Sequence, residues 1–324
     1  MKPISNYLFA LLLLLPSFAS LGQISPWPSK SIKVIVPFAA GSAADSVARI
    51  VVEGLSKNLG QAFVIENKPG AGGTVGSNLV AQAAPDGYTL LIHSNSHTVG
   101  KFVYEKLSFD PEKDLVGVTP LASMSLMFVT SPTSGFKTLQ ELVQSAKDKP
   151  GSMNYASAGS GSATHLGAEL LRINGDFSAT HIPTKGTTEA LTEVLSGRVQ
   201  FFLSPLGLAG PFVNSGRLVG LAVVDSKRSK AFADVPTTSE AGVNNAEYPG
   251  WTGMFVPAKT PSFIIDRLNK ETAAVLADPE AKKRLDTLYL DSLVLNPEEF
   301  ARFLAKDFAL TSKLVDAAGL GRAK

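Results

Sequence analysis

The chain has 324 residues, 44% of them apolar and 18% charged, with no cysteine and four histidines. At ~100–200 residues per domain the length predicts two or so compact units, and the apolar content excludes a disordered chain. A formal charge of +2 cannot neutralise many phosphates, which argues against a nucleic-acid reader, and the missing cysteine excludes disulfides, thiolate zinc sites, iron–sulfur clusters and a cysteine nucleophile.

The first residues carry the pattern of an export signal. Lys2 precedes a leucine-rich run over 7–15, Pro16 breaks it, and the small residues Ser17, Ala19, Ser20 and Gly22 follow. Roughly nine apolar residues are too few for a spanning helix, which needs ~20. The reading is a signal peptide over 1–22, cleaved after Ala19 or Gly22, and an exported soluble product that is periplasmic where the cell has two membranes.

Strand-like and helix-like runs then alternate. The β-branched run 32–36 predicts a strand, followed by a small-residue loop and an amphipathic helix over 45–59 that Gly60 ends. A second strand at 63–66 leads through Asn67-Lys68-Pro69-Gly70 to a helix capped by Thr74, and a third strand covers 88–92 behind the Asp86-Gly87 turn. After about residue 123 the pattern starts again. Strands are expected at 126–130, 153–157, 179–182, 199–203 and 218–224, with helices at 139–147, 164–174, 189–196 and 208–214. Beyond Pro249 come a strand at 251–256, helices from Ser262 and Pro279, and a strand-like stretch near Leu288. The last helix carries a full start signal: Asn296 as cap, Pro297 at its first position, Glu299 to close the box. Alternation of this kind implies an α/β fold of parallel βαβ units. A second set inserted in the first gives two lobes, 23–123 plus 250–324 and 124–249, with crossings near 121–126 and 246–252.

Two loops are the same device in different halves. Residues 37–45 read Pro37-Phe38-Ala39-Ala40-Gly41-Ser42-Ala43-Ala44-Asp45, and 157–165 read Ser157-Ala158-Gly159-Ser160-Gly161-Ser162-Ala163-Thr164-His165. Each leaves a strand and opens a helix through residues small enough to bring backbone N–H groups to a ligand, and the helix start adds orphan donors and partial positive charge. One such loop per lobe would hold an anion between them with little work left for arginine. Arg49 and Arg172 lie about two turns inside their helices, too deep to cradle an anion at the start. Asp45 reads as a cap that organises its loop rather than as a catalytic acid.

Other patterns are weaker. Gly70-Ala71-Gly72-Gly73-Thr74-Val75-Gly76 approaches a dinucleotide fingerprint, but Val75 stands at the third-glycine position and the run follows the second strand. No serine sits in a Gly-x-Ser-x-Gly elbow. His93 and His97 are four apart but read as strand-then-loop, so a polar loop lining a cleft, with Ser94, Ser96 and Thr98, is favoured over a metal pair. His165 is either a packed first-turn residue or an anion contact, and Lys185-Gly186 either a cation beside the ligand or a solvated turn.

An ordered series of motifs resembles the periplasmic solute receptors of tripartite tricarboxylate transporters, the Bug family. It comprises Val36-Pro37-Phe38-Ala39-Ala40-Gly41 with Asp45 and Ala48-Arg49, then Glu66-Asn67-Lys68-Pro69-Gly70-Ala71-Gly72-Gly73 and Ala84-Pro85-Asp86-Gly87-Tyr88-Thr89-Leu90. Tyr155-Ala156-Ser157-Ala158-Gly159-Ser160-Gly161 with His165-Leu166, His181-Ile182-Pro183 with Lys185-Gly186, Asp234-Val235-Pro236-Thr237 and Glu240-Ala241-Gly242 complete it. The resemblance spans about residues 27–319. It implies a type II-like, two-lobed periplasmic-binding fold, each lobe a mostly parallel sheet flanked by helices, closing on a small organic acid.

It also implies a binding, non-catalytic role with no cofactor or metal, delivery to one large and one small membrane subunit, and a monomer. The implied contact set is Phe38, Ala39, Ala40, Gly41, Ser42, Asp45, Ser94, Ser96, Thr98, Ser157, Ser160, Gly161, Ser162, His165, Thr184 and Ser204. Ser42 stands where the family usually has a second glycine, so an added hydroxyl is expected to face the carboxylate. Thr184 stands where tyrosine is usual, and no acid lies near Ser204, which disfavours an amino-acid ligand. A receptor feeding a sensor kinase is the alternative within the binding class. An exported hydrolase using Ser160 or Ser162 with His165 is the alternative among enzymes, and it lacks an elbow and an acid.

Overall fold

The computed structural model describes residues 27–104 and 106–321; the expected signal peptide over 1–22 lies outside the described residues. In chain order the elements are β1 (Ile32–Val36), α1 (Ala43–Leu59), β2 (Phe63–Asn67), α2 (Thr74–Ala81), β3 (Thr89–Ser94), α3 (Ser96–Val103) and β4 (Leu115–Met124). Then come β5 (Leu126–Thr130), α4 (Leu139–Asp148), β6 (Asn154–Ser157), α5 (Ala163–Asn174), β7 (Thr180–Pro183), α6 (Thr187–Leu195), β8 (Phe201–Pro205), α7 (Leu206–Asn214) and β9 (Val219–Val223). The chain ends with β10 (Gly250–Pro257), α8 (Ser262–Ala277), α9 (Pro279–Thr287), β11 (Leu290–Ser292) and α10 (Pro297–Ala317).

A six-stranded sheet runs β11-β4-β10-β3-β1-β2 and a five-stranded sheet β7-β6-β8-β5-β9. The expectation of mostly parallel sheets is corrected: both are mixed. β1 pairs parallel with β2 and β3, and β6 with β7 and β8, but β10 runs antiparallel to β3 and β4, and β5 antiparallel to β8 and β9. The cause is the crossing. β4 and β5 are one extended run broken only at Ser125, which leaves the first sheet and enters the second, and β10 brings the chain back.

β4 is a strand that sequence reading passed over, because Gly117 and Pro120 look like breakers. The sheet accommodates them with register shifts along the β10–β4 pair, where Pro120 faces Gly253. The stretch after β3 is also corrected, from loop to the short helix α3. Its sequence is polar, and its buried residues His97, Thr98 and Val99 are held by tertiary packing rather than by propensity. Thr74 is the first residue of α2 instead of its cap, the cap being Gly73 in a left-handed conformation. At α10 the full start signal does form: Asn296 accepts the Glu299 amide at 2.8 Å and Glu299 accepts the Asn296 amide at 3.0 Å.

Each sheet is covered on both faces. α1 and α8 bury Val47, Val51, Leu55, Ile264 and Leu268 against one face of the first, and α10 lays a stripe of Phe300, Leu304 and Phe308 on the other. A further apolar cluster joins the halves. Leu314 and Val315 of α10 and Val99 of α3 pack with Leu166 and Leu170 of α5 and with Tyr248. The helix that opens from the second loop is therefore seated on elements flanking the first sheet.

Candidate functional site

The first loop runs from β1 to α1 and the second from β6 to α5. Each leaves a strand with parallel neighbours on both sides, at the carboxyl end, where α/β sheets bind ligands.

The two loops match residue for residue. Ser42 is an N-cap at φ/ψ −66°/162° whose Oγ accepts the Asp45 amide at 3.2 Å. Ser162 caps at −68°/159° and accepts the His165 amide at 3.3 Å. Before each cap stands a glycine at positive φ, +82° at Gly41 and +77° at Gly161, a conformation that disfavours any Cβ. Its amide donates to the side chain at the third helical position: Gly41 to Asp45 Oδ2 at 2.9 Å, Gly161 to His165 Nδ1 at 3.0 Å. The closing turn repeats too, Ser42 N–H to Ala39 O at 3.2 Å and Ser162 N–H to Gly159 O at 3.1 Å. The amides of Ala43 and Ala44, and of Ala163 and Thr164, then stand at the first two helical positions. They have no intrahelical acceptor and carry the helix's partial positive charge.

The first loop is tied down by a buried carboxylate. Asp45 is 1% exposed. Its Oδ1 accepts Asn67 Nδ2 at 2.9 Å and Arg49 Nη2 at 3.2 Å; its Oδ2 accepts Arg49 Nε at 2.8 Å and the Gly41 amide at 2.9 Å. Burial alone would raise this carboxyl, but the bonds from Arg49, Gly41 and Asn67 outweigh it and the net shift is downward. Asn67, the last residue of β2, also donates to Phe38 O at 3.0 Å, so one amide group joins the two ends of the loop.

The second loop is tied down by a stacked imidazole pair. A backbone N–H can only donate, so His165 Nδ1 accepts and His165 is neutral. Its ring lies on that of His181 from β7 at 3.7 Å and 10°, and His181 Nε2 meets Ser157 Oγ at 2.6 Å. Burial, with His181 alongside, lowers His165 to about 4, and burial lowers His181 as well. One turn on, Glu169 accepts Tyr155 Oη and a bidentate Arg172, with Nη2 to Oε2 at 2.7 Å. Burial raises the Glu169 carboxyl, but the Arg172 and Tyr155 bonds more than offset that and hold it low.

The expected contact residues divide. Ala39, Ala40, Gly41 and Ser160 are exposed at the loop tips, and Phe38, Ser42, Ser94, Ser96 and Ser162 are half-buried. Asp45 sits at the third helical position, the cap itself being Ser42. Four placements are corrections. Thr98 is fully buried and its hydroxyl meets Asp307 Oδ2 of α10 at 2.7 Å. Ser157 is fully buried beneath its loop, in contact with His181 and accepting the Gly159 amide. Ser204 is fully buried, its hydroxyl at 3.2 Å from Pro205 O. Thr184 lies 2.8 Å from both Ser157 O and Gly186 O and so turns its hydroxyl back to the main chain.

The Ser42 Oγ caps α1 by accepting the Asp45 amide on a lone pair, which leaves its O–H as a donor. His165 is the packed alternative, 3% exposed. Gly161 is buried against α3, where a Cβ would lie 3.4 Å from Val99 Cγ1. His93 and His97 are both buried in ring contacts, with Phe38 at 5.2 Å and Phe255 at 4.3 Å. Among the described residues no group of three metal-ligating side chains gathers. Sequence reading missed Asn67 and His181, although both lie in quoted motifs. Each acts from a neighbouring strand, which loop spacing does not show.

The model of a family described as the tripartite tricarboxylate transporter family receptor matches residues 47–320. Among solved structures, a Rhodopseudomonas palustris protein with adipate is similar at 28% identity and a TM-score of 0.80, over 90% of this chain and 98% of that one. MatC of the same organism, with bound malate, is similar at 31% identity and 0.76, over 89% and 99%. The periplasmic binding protein BugD is similar at 29% identity and 0.77, over 92% and 100%. The two-lobed α/β architecture described above is thus the fold of periplasmic binding proteins.

Proposed function

The chain belongs to the tripartite tricarboxylate transporter receptor family, and from that premise we propose that it captures a small organic carboxylate, a dicarboxylate or an aromatic acid, in the periplasm. It passes that acid to the large and small membrane subunits of such a transporter and catalyses nothing. The observation that carries the proposal is the matched pair of capped loops, Gly41-Ser42 and Gly161-Ser162, one at each sheet. Adipate and malate in two similar proteins support the ligand class.

The lobes are 23–123 plus 250–324 and 124–249, and the receptor acts as a monomer. The acid lies between the loops, held by first-turn amides and by the hydroxyls of Ser94, Ser96 and Ser160. Bonds to a charged acceptor contribute ~1.5–3 kcal/mol each. Three or four of them, with apolar contact to Phe38, reach the ~8 kcal/mol of micromolar binding. No arginine is required, and the committed state of both nearby arginines supports this: Arg49 is held by Asp45 and Arg172 by Glu169.

A thermal-shift screen over linear diacids, hydroxy diacids and aromatic acids tests the proposal. At 100-fold excess over Kd a binder adds ~2.7 kcal/mol, a clear upward shift. A flat response across the whole set would refute it.

A further inference from the structure

The acids flanking the two loops bear on which carboxylates the cleft accepts, a question that rests on the receptor reading above. An ionised carboxylate has about four lone-pair sites. Asp45 has all four filled: Asn67 and Arg49 on Oδ1, Gly41 and Arg49 on Oδ2. Glu169 receives Tyr155 and Arg172 on Oε1 and Arg172 twice more on Oε2. Glu66, next to Asn67, faces Lys33 at 3.0 Å and Lys68 at 3.6 Å. Glu189 accepts the Lys185 amide at 2.9 Å, on the turn that also carries the Lys185 cation. A ligand ammonium seated at the two helix starts would shed water and meet first-turn amides, which only donate, above buried carboxylates with no lone pair to spare. An unpaired cation in such a place is costly.

We propose that the cleft selects carboxylates without an ammonium group, because Asp45 and Glu169, the buried carboxylates at the bases of the two loops, are already saturated by protein donors. Asn67 is the positioning residue of that selection. It fills the last acceptor site of Asp45 while fixing Phe38 O, and its removal opens one lone pair of a buried anion toward the loop.

The test compares paired probes of equal chain length by calorimetry: succinate with aspartate, glutarate with glutamate, adipate with 2-aminoadipate, and phenylacetate with phenylglycine. The wild type is expected to bind the ammonium-free member of a responding pair at least about tenfold tighter, equivalent to ~1.4 kcal/mol. In Asn67→Ala that ratio is expected to narrow at least about threefold. The ratio is the readout, since simple loosening of the loop lowers both affinities and leaves it unchanged. Equal or tighter binding of the amino acid by the wild type overturns the proposal, and an unchanged ratio in a folded Asn67→Ala variant overturns the role of Asn67. Absence of binding by any carboxylate in either protein overturns the receptor reading instead, and this inference with it.

Discussion

Asp45→Ala is the substitution from which the loop geometry is expected to show most clearly. The carboxylate is 1% exposed and holds the Gly41 amide at 2.9 Å and Asn67 Nδ2 at 2.9 Å. Its removal strands two donors at a packed loop base, each costing ~1–3 kcal/mol when unsatisfied. Arg49, whose side chain is 53% exposed, turns to water and adds nothing to the sum. The expected loss of stability is therefore about 2–6 kcal/mol, seen as a lower urea midpoint at unchanged m-value. Binding of the best acid weakens at least tenfold, because Gly41 leaves its positive φ and the first-turn amides lose their alignment.

Asp45→Asn separates shape from charge. Its amide oxygen still takes one of the donors, so it is expected to fall between wild type and alanine in both assays. The contrary picture is a carboxylate that merely repels the ligand, and it makes the opposite prediction. Tighter binding in Asp45→Ala, or an unchanged urea midpoint, would refute the loop argument.

Other outcomes follow from particular contacts. His165 is neutral in the fold and lowered to about 4, so between its ordinary 6.5 and 4 the unfolded chain binds the extra proton. Stability should fall by up to about 3 kcal/mol as pH drops through that window, and denaturation of His165→Gln against pH should lack this component. Gly161→Ala and Gly41→Ala both place a Cβ at positive φ, in ordinary contact with Val99 at the first and with no atom within 4 Å at the second, so each should cost the ~1–2 kcal/mol of a left-handed backbone. Matched urea melts of the two variants decide this. Phe300→Ala removes a fully buried ring between α10 and the first sheet and should cost about 3–5 kcal/mol by calorimetric melting. With a loop on each sheet, small-angle scattering should show a smaller radius of gyration at ligand saturation, and an unchanged radius would contradict lobe closure.

What could be read in advance depended on how local the cause was. α10 was legible because its cap, proline and box lie within four residues, and the two loops because glycine and serine at a strand–helix junction are a contiguous signal. β4 was hidden because Pro120 and Gly117 obey the β10–β4 register, a partner over a hundred residues away. α3 was hidden because its buried polar face is explained only by Asp307 and Thr311 of α10. Within the site, serine and threonine spacing could not say whether a hydroxyl caps, buttresses or faces the ligand. Thr98, Ser157, Thr184 and Ser204 turned inward, while Asn67 and His181 reached the loops from 22 and 24 residues away.

The central claim is that backbone amides at two helix starts grip an ionised carboxylate. Its most direct test is calorimetric titration of the acid giving the largest thermal shift, alongside its methyl ester. Losing one charged acceptor removes at least ~1.5 kcal/mol, so the ester should bind tenfold or more weakly. Equal affinity for acid and ester would contradict the claim.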